Sequence, residues 1–257
     1  MSDPVRACLI IIGNEILSGR THDKNLPYLA EELNKIGVRL AETRVIPDIE
    51  DTIIETVNEC RARFDYVFTT GGIGPTHDDI TSECVAKAFG VANELNAEAH
   101  ALLKSHYEKP EDLNEARLRM AHVPVGAELV QNPISKAPGF RMENVYVMAG
   151  VPMIMQAMFQ GIKHQLIGGK PMVSRSVGGY IPEGTIAKVL AEIQGDFPHT
   201  DIGSYPFLRE GRLGTTLVVR GENPDDVNQA SERIRLVIIE SGRDVIEDTG
   251  HVNASAD

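Results

Sequence analysis

A continuous apolar run, Cys8–Ile12, is followed by a weakly alternating one, Val38–Ile46, and by Phe64–Thr70, which reads as a third buried strand, and each is followed by residues whose apolar positions recur at helical spacing. A run of mostly β-branched residues has no polar face to turn to water, so it must be covered on both sides, as in the interior of a parallel sheet. The intervening helices supply the cover. Asn25–Ile36 carries Leu26, Leu29, Ala30, Leu33 and Ile36, with Gly37 placed to end it. Ile49–Arg63 repeats Ile53, Ile54, Val57 and Cys60, and Ser82–Phe89 stops before Gly90. The order βαβαβα predicts an α/β fold with a doubly wound, mostly parallel sheet.

Further along, residues 96–121 read as helix interrupted at Pro110, Val145–Met148 as a returning strand, and Met153–Gln165 as the helix after it. Met148, Met153, Met155 and Met158 have the spacing of core packing rather than of a soft-metal surface. Gly168-Gly169-Lys170-Pro171 is the expected boundary. The larger α/β domain then covers 1–168. A second, smaller α+β domain covers 171–247: a strand at Met172–Tyr180, a helix at Pro182–Gln194, two strands flanking Glu210-Gly211 and a helix at Pro224–Ser241. Residues 248–257 read as a frayed tail.

Composition narrows the function classes. The formal charge of -12 argues against a nucleic-acid partner, because backbone affinity comes from clustered Lys and Arg. The three cysteines, Cys8, Cys60 and Cys84, are far apart and lack CxxC spacing, which suggests a reducing, cytoplasmic setting and no zinc site. Cys84 follows the start of a helix, where a thiolate is conceivable, yet burial as a small apolar residue is the expected fate. No segment has the length of a membrane span, so no membrane partner is expected.

The chemistry concentrates in Gly71-Gly72-Ile73-Gly74-Pro75-Thr76-His77-Asp78-Asp79. It is not a Walker loop, since no Gly-Lys-Ser/Thr follows, and it is not a dinucleotide fingerprint, since it reads GGxG after the third strand. Gly71, Gly72 and Gly74 let backbone N–H groups approach an anion, and Thr81 is placed to cap the next helix, whose positive end would face the same spot. Paired carboxylates beside an anion nest call for a cation, so Asp78 and Asp79 are the expected metal ligands. Ligands of open α/β sheets sit at the carboxyl ends of the strands. Asn14 and Glu15, after the first strand, are therefore expected to meet Asp78 and Asp79 there. His22 reads as an exposed loop histidine, and His77 as exposed or ligand-contacting rather than catalytic.

At these residues the sequence resembles the molybdopterin-binding MoaB/Mog-like family, and within it the N-terminal domain type of CinA, a competence/damage-inducible protein. The resemblance rests on Gly13-Asn14-Glu15-Ile16-Leu17-Ser18-Gly19, Asp23 to Asn25, Thr70 to Thr81, Asn132-Pro133 and Ala137-Pro138-Gly139-Phe140, and it spans about residues 5–245. It implies a small phosphorylated ligand, pterin or nucleotide, with molybdopterin itself a candidate. It also implies cleavage of a nucleotide pyrophosphate of the ADP-ribose or FAD type with a divalent metal (Mg, Co or Mn). A non-catalytic molybdopterin-binding or delivery protein is the alternative. Carried over by position, Gly71, Gly72, Gly74, Thr76, Asn14, Asn25 and Lys136 would hold ligand and phosphate, Asp78 and Asp79 the metal, and Glu15, Asp78 and Asp79 the catalysis. Related folds imply a homo-oligomer, dimer or trimer. The amidohydrolase domain that follows in longer relatives is not matched, so nicotinamide-mononucleotide deamidation is not expected. Ser135-Lys136 stands where many relatives have a glycine.

Overall fold

The computed structural model describes residues 4–107, 109, 112–209 and 211–247. The tail expected at 248–257, and Pro110 in the interrupted helix, lie outside them. The chain divides into two compact units, Met1–Gly169 and Lys170–Asp257.

In the first unit, β1 (Arg6–Ile12), β2 (Arg39–Ile46), β3 (Tyr66–Thr70) and β8 (Val145–Met148) are parallel, in the order β2-β1-β3-β8. Two short antiparallel strands, β7 (Gly139–Met142) and β6 (Glu128–Val130), extend one edge to complete a six-stranded sheet. Alternate residues of each central strand feed opposite cores, as a strand buried on both faces must. Cys8, Ile10, Ile12, Val67, Val145 and Val147 pack under α3 (Glu50–Arg63) and α4 (Thr81–Phe89). Leu9, Ile11, Phe68, Tyr146 and Met148 pack under α2 (Asn25–Lys35) and α7 (Pro152–Ile162). The parallel sheet with helices on both faces is the α/β class read from the alternation.

Several elements differ from the sequence reading. A four-residue helix, α1 (Asn14–Leu17), follows β1. The stretch 96–121 is α5 (Ala97–His106), α6 (Glu115–Leu118) and a 3₁₀ turn at Arg119–Ala121. It is flanked by β4 (Asn93–Leu95) and β5 (His122–Pro124), a separate two-stranded sheet. Met148, Met155 and Met158 are fully buried, but Met153 on the first turn of α7 is 64% exposed and belongs to no core. Cys84 is buried and its thiol is pushed up to about 12 by desolvation, so it offers no thiolate. Cys8 and Cys60 are buried and unbridged, Cys8 Sγ donating to Cys60 Sγ at 3.5 Å.

The second unit is a four-stranded antiparallel sheet in the order β10 (Thr200–Arg209), β11 (Arg212–Gly221), β9 (Val173–Gly179), β12 (Val245–Glu247). Its core joins Leu217 and Val219 of β11 to Ile186 and Ile193 of α8 (Glu183–Asp196) and to Ile234 and Ile238 of α9 (Pro224–Glu240). Among the described residues, no helix in either unit is long and apolar enough to cross a membrane.

One polar cluster locks α2 to α7. Glu32, with a side chain 11% exposed, accepts from Lys163 Nζ at 2.7 Å, Lys35 Nζ at 2.6 Å and Gln160 Nε2 at 2.8 Å. Lys163 first, then Lys35 and Gln160, hold its carboxyl down to about 2. The folded value lies below the unfolded one, so the stabilisation is complete above the unfolded pKa of about 4.3 and is lost as pH falls through about 2. Glu32→Gln is expected to lower unfolding free energy at neutral pH by about 1–3 kcal/mol. In urea titrations the gap to the parent closes between about pH 4.3 and the folded-state value.

Candidate functional site

The carboxyl ends of β1, β3 and β8 come together at Gly71. Its N–H donates to Met148 O at 3.2 Å, and a Cβ built on it would stand 2.1 Å from Ile12 O, closer than any side chain tolerates. From the other side, a Cβ on Gly150 would approach Gly71 Cα to 3.2 Å. Gly71 has φ +105° and Gly72 φ +68°, the left-handed region that glycine enters without strain. The chain therefore turns sharply out of the sheet at this point.

Thr81 fastens the far end of the loop, by a different route from the expected cap. Ile80 is the cap residue of α4 and Thr81 the first helical one. The Thr81 N–H donates to Gly72 O at 3.0 Å, and its buried hydroxyl donates to Gly71 O at 3.1 Å. Between the two anchors, the N–H groups of Gly72, Ile73 and Gly74 have no hydrogen-bond partner among the described residues, nor has that of Ser82 at the start of α4. Free donors beside a helix N-terminus form an anion-binding surface.

Asp79 closes this surface. Its Oδ2 accepts from Thr76 N at 2.8 Å and from the Thr76 hydroxyl, and its carboxylate lies against Gly74, where a Cβ would meet Oδ2 at 2.6 Å. The turn is completed by Asp79 N donating to Thr76 O at 3.3 Å. Arg119, from the 3₁₀ turn, reaches across and donates to Thr76 O at 3.1 Å and Asp79 O at 3.5 Å. A cavity of about 420 Å³ opens here, with Gly72, Gly74, Asp79 and Arg119 in its wall. That volume suits a small-molecule site. Lys87 also lines it, but is paired with Glu50 at 2.7 Å and Glu83 at 2.8 Å, whereas Arg119 has no carboxylate partner among the described residues.

The other expected residues are distributed around the cavity. Asp78 lies on the outer turn next to His77, whose side chain is 97% exposed. The nearby Thr76 hydroxyl and its own backbone N–H hold Asp78 below the usual carboxylate range. Of the adjacent pair, Asp79 alone is in the wall. Asn14 and Glu15 sit on α1, where Asn14 N donates to Asp48 Oδ2 at 2.9 Å and the Glu15 carboxylate packs against Gly13. Neither lines the cavity. Asn25 is 3% exposed and acts from behind, donating from Nδ2 to Gly150 O at 2.8 Å, while its Oδ1 has no partner. Asn132 organises the turn before Ala137-Pro138-Gly139-Phe140: its Oδ1 accepts from Ile134 N and Ser135 N, and its Nδ2 donates to Ala137 O. Lys136 within that turn has φ +59°, a conformation suited to glycine, and is not in the cavity wall, although Pro138 and Phe140 are.

Four wall residues carried no signal in the sequence: Arg119, Ser82, Asn93 and His122. Ser82 stands at the start of α4, while Arg119, Asn93 and His122 reach the cavity from a 3₁₀ turn and two three-residue strands, and only the folding of that excursion over the loop reveals those three.

Gly72→Ala is expected to cost about 1–3 kcal/mol, since it adds left-handed strain and drives a Cβ to 2.1 Å from the buried Thr81 hydroxyl. Thr81→Val, which loses the hydrogen bond and keeps the volume, should cost about 1 kcal/mol. Thermal denaturation of the two variants measures both.

Comparison with known proteins gives matches for both units. The model described as a probable molybdopterin binding domain matches residues 8–168, and the one described as the middle domain of FAD synthase matches residues 171–241. A protein of Archaeoglobus fulgidus is 37% identical over 199 residues, which cover 77% of this chain and 84% of its own. A CinA-like protein of Citrifermentans bemidjiense is 29% identical over 272 residues, covering 93% of this chain and 64% of the relative. The crystal structure of CinA from Thermoplasma acidophilum, a protein described as of unknown function, matches with a TM-score of 0.60 at 32% identity, over 64% of this chain and 99% of that one.

Proposed function

The chain belongs to the family of probable molybdopterin-binding domains as a CinA-like member, and from that membership we propose that it binds a phosphorylated pterin or nucleotide in the Gly71–Asp79 cavity and hydrolyses a nucleotide pyrophosphate. The observation that carries the reading is the row of N–H groups without a partner among the described residues at Gly72, Ile73 and Gly74, residues that line the same cavity as Asp79 and Arg119. Those donors hold phosphoryl oxygens, and Arg119 balances their charge inside a protein of formal charge -12.

The donor set suits a hard divalent cation (Mg, Mn or Co) that takes few protein ligands. Asp79 keeps Oδ1 free while Oδ2 is held by Thr76, and Asp78 stays ionised on the adjacent turn. Among the described residues no three His, Cys, Asp or Glu side chains come together, so the rest of the coordination shell is assigned to phosphate oxygens and water. Such a cation supplies positive charge for the phosphoryl oxygens. Water adds to one phosphorus as the bridging P–O bond breaks and the other phosphate leaves. Glu15 and Asn14 on α1 and Lys136 in the turn before β7 lie outside the cavity wall, so none of the three is given a part in this step.

Incubation with ADP-ribose or FAD and Mg²⁺, Mn²⁺ or Co²⁺ is expected to release AMP with ribose 5-phosphate or FMN. Asp79→Ala should lower kcat/KM by about 100-fold or more, and undiminished turnover in that variant excludes the assigned metal role. Lys136→Gly relieves the left-handed backbone at a residue outside the cavity wall, so it should keep or raise Tm and leave kcat/KM within about twofold. The second reading, a molybdopterin-binding or delivery protein without turnover, is favoured by the same donors if ligands raise Tm and no product forms.

A further inference from the structure

A second polar group lines the cavity, on the wall built by α4, β4 and β5. Ser82 Oγ donates to His122 O at 2.8 Å and to Asn93 Oδ1 at 3.0 Å, sharing its hydrogen between two acceptors. The carboxamide of Asn93 is thereby pinned by its oxygen, and Nδ2 has no partner among the described residues. His122 Nδ1 lies 3.2 Å from Leu118 O, an acceptor only, so Nδ1 carries the proton and Nε2 is left as an acceptor. With Oδ1 turned to Ser82 and Nδ1 to Leu118 O, Asn93 offers an amide donor and His122 a ring acceptor. Val91, Met120, Val123 and Phe140 of the same wall supply apolar surface for a flat ring.

We infer that Asn93 and His122 are the specificity-determining residues of the site, reading the edge of a heteroaromatic ring that carries a hydrogen-bond acceptor next to an N–H donor, while the glycine loop holds the phosphate. The inference rests on the phosphate-ligand reading above and extends it to the ring. The 4-carbonyl and N3–H of a pterin offer that edge, as do N1 and the 6-amino group of adenine. Carbocyclic rings do not. A half-buried polar wall that a bound ring covers rejects a ligand lacking the matching group more strongly than an apolar pocket rejects a change of size, because the wall's own donor or acceptor then goes unpaired.

The test is calorimetric titration of the full chain with AMP, with purine riboside 5′-monophosphate, which lacks the 6-amino donor, with pterin-6-carboxylate and with inorganic pyrophosphate. The parent protein is expected to bind AMP or pterin-6-carboxylate, and to bind the des-amino nucleotide about tenfold more weakly than AMP wherever AMP binds. Asn93→Asp keeps the oxygen that Ser82 holds and replaces the donor by an acceptor. His122→Asn keeps a donor for Leu118 O and removes the ring acceptor. Each should weaken AMP or pterin binding about tenfold or more, and His122→Asn should erase the preference for AMP over its des-amino analogue. Pyrophosphate affinity should stay within about twofold in both, which also reports that the fold is intact. Preference for AMP or for the pterin identifies the source of the ring, and either supports the edge reading. Binding of these ring ligands unchanged in both variants overturns the inference and leaves the phosphate reading standing. A parent that binds none of the four probes overturns both.

Discussion

At Gly71 three strand ends approach so closely that no side chain fits between them. The contact of its Cα region with Ile12 O and Gly150, and the bond from its N–H to Met148 O, tie β1, β3 and β8 together at one point of the sheet edge. The loop that leaves this point is pulled back by Thr81, which takes up Gly71 O and Gly72 O. With both ends fixed and the carbonyls satisfied from inside, the amides of Gly72, Ile73 and Gly74 are left for a ligand. A donor surface of this kind loses little entropy on binding because the backbone that carries it is already held.

The acidic character of the protein bears on the same site. A formal charge of -12 repels phosphate at long range, so the proposed phosphate ligand would have to be held locally, by amides, a helix N-terminus and the Arg119 guanidinium. Arg119 donates to the carbonyls of Thr76 and Asp79, which places its charge at the loop while steadying the turn that carries Asp79. Lys87, closer in sequence, is neutralised by Glu50 and Glu83. Position within an ion-pair network, rather than the count of basic residues, decides which cation is available.

Much of the first unit was legible in the chain. Cys8–Ile12 and Val67–Thr70 are buried on both faces, a condition that the continuous apolar run Cys8–Ile12 signals directly. α2, α3 and α9 are long enough for periodicity to emerge. β4, β5, β6 and β7 were not foreseen, because strands of three or four residues that mix polar and apolar positions carry too few alternations to stand out, whereas the equally short β8 is apolar throughout. Thr81 was read as a cap from residue type, yet its hydroxyl found a better acceptor in the tight turn opposite. Met153 carries the helical spacing of its neighbours and still faces outward.

The sequence by itself determined the alternation of strand and helix, the mostly parallel sheet, the glycine loop and its acidic neighbours, because each is encoded in residues close along the chain. Tertiary structure decided which of those groups share a cavity. It put Asp79 in the wall and left Asp78 on the outer turn, and it kept Asn14 and Glu15 on α1. It also brought Arg119, Asn93 and His122 over the loop from an excursion with no motif of its own. The physical reason is that backbone conformation is governed by near neighbours, whereas the convergence of side chains depends on how separate elements pack, which no local pattern records.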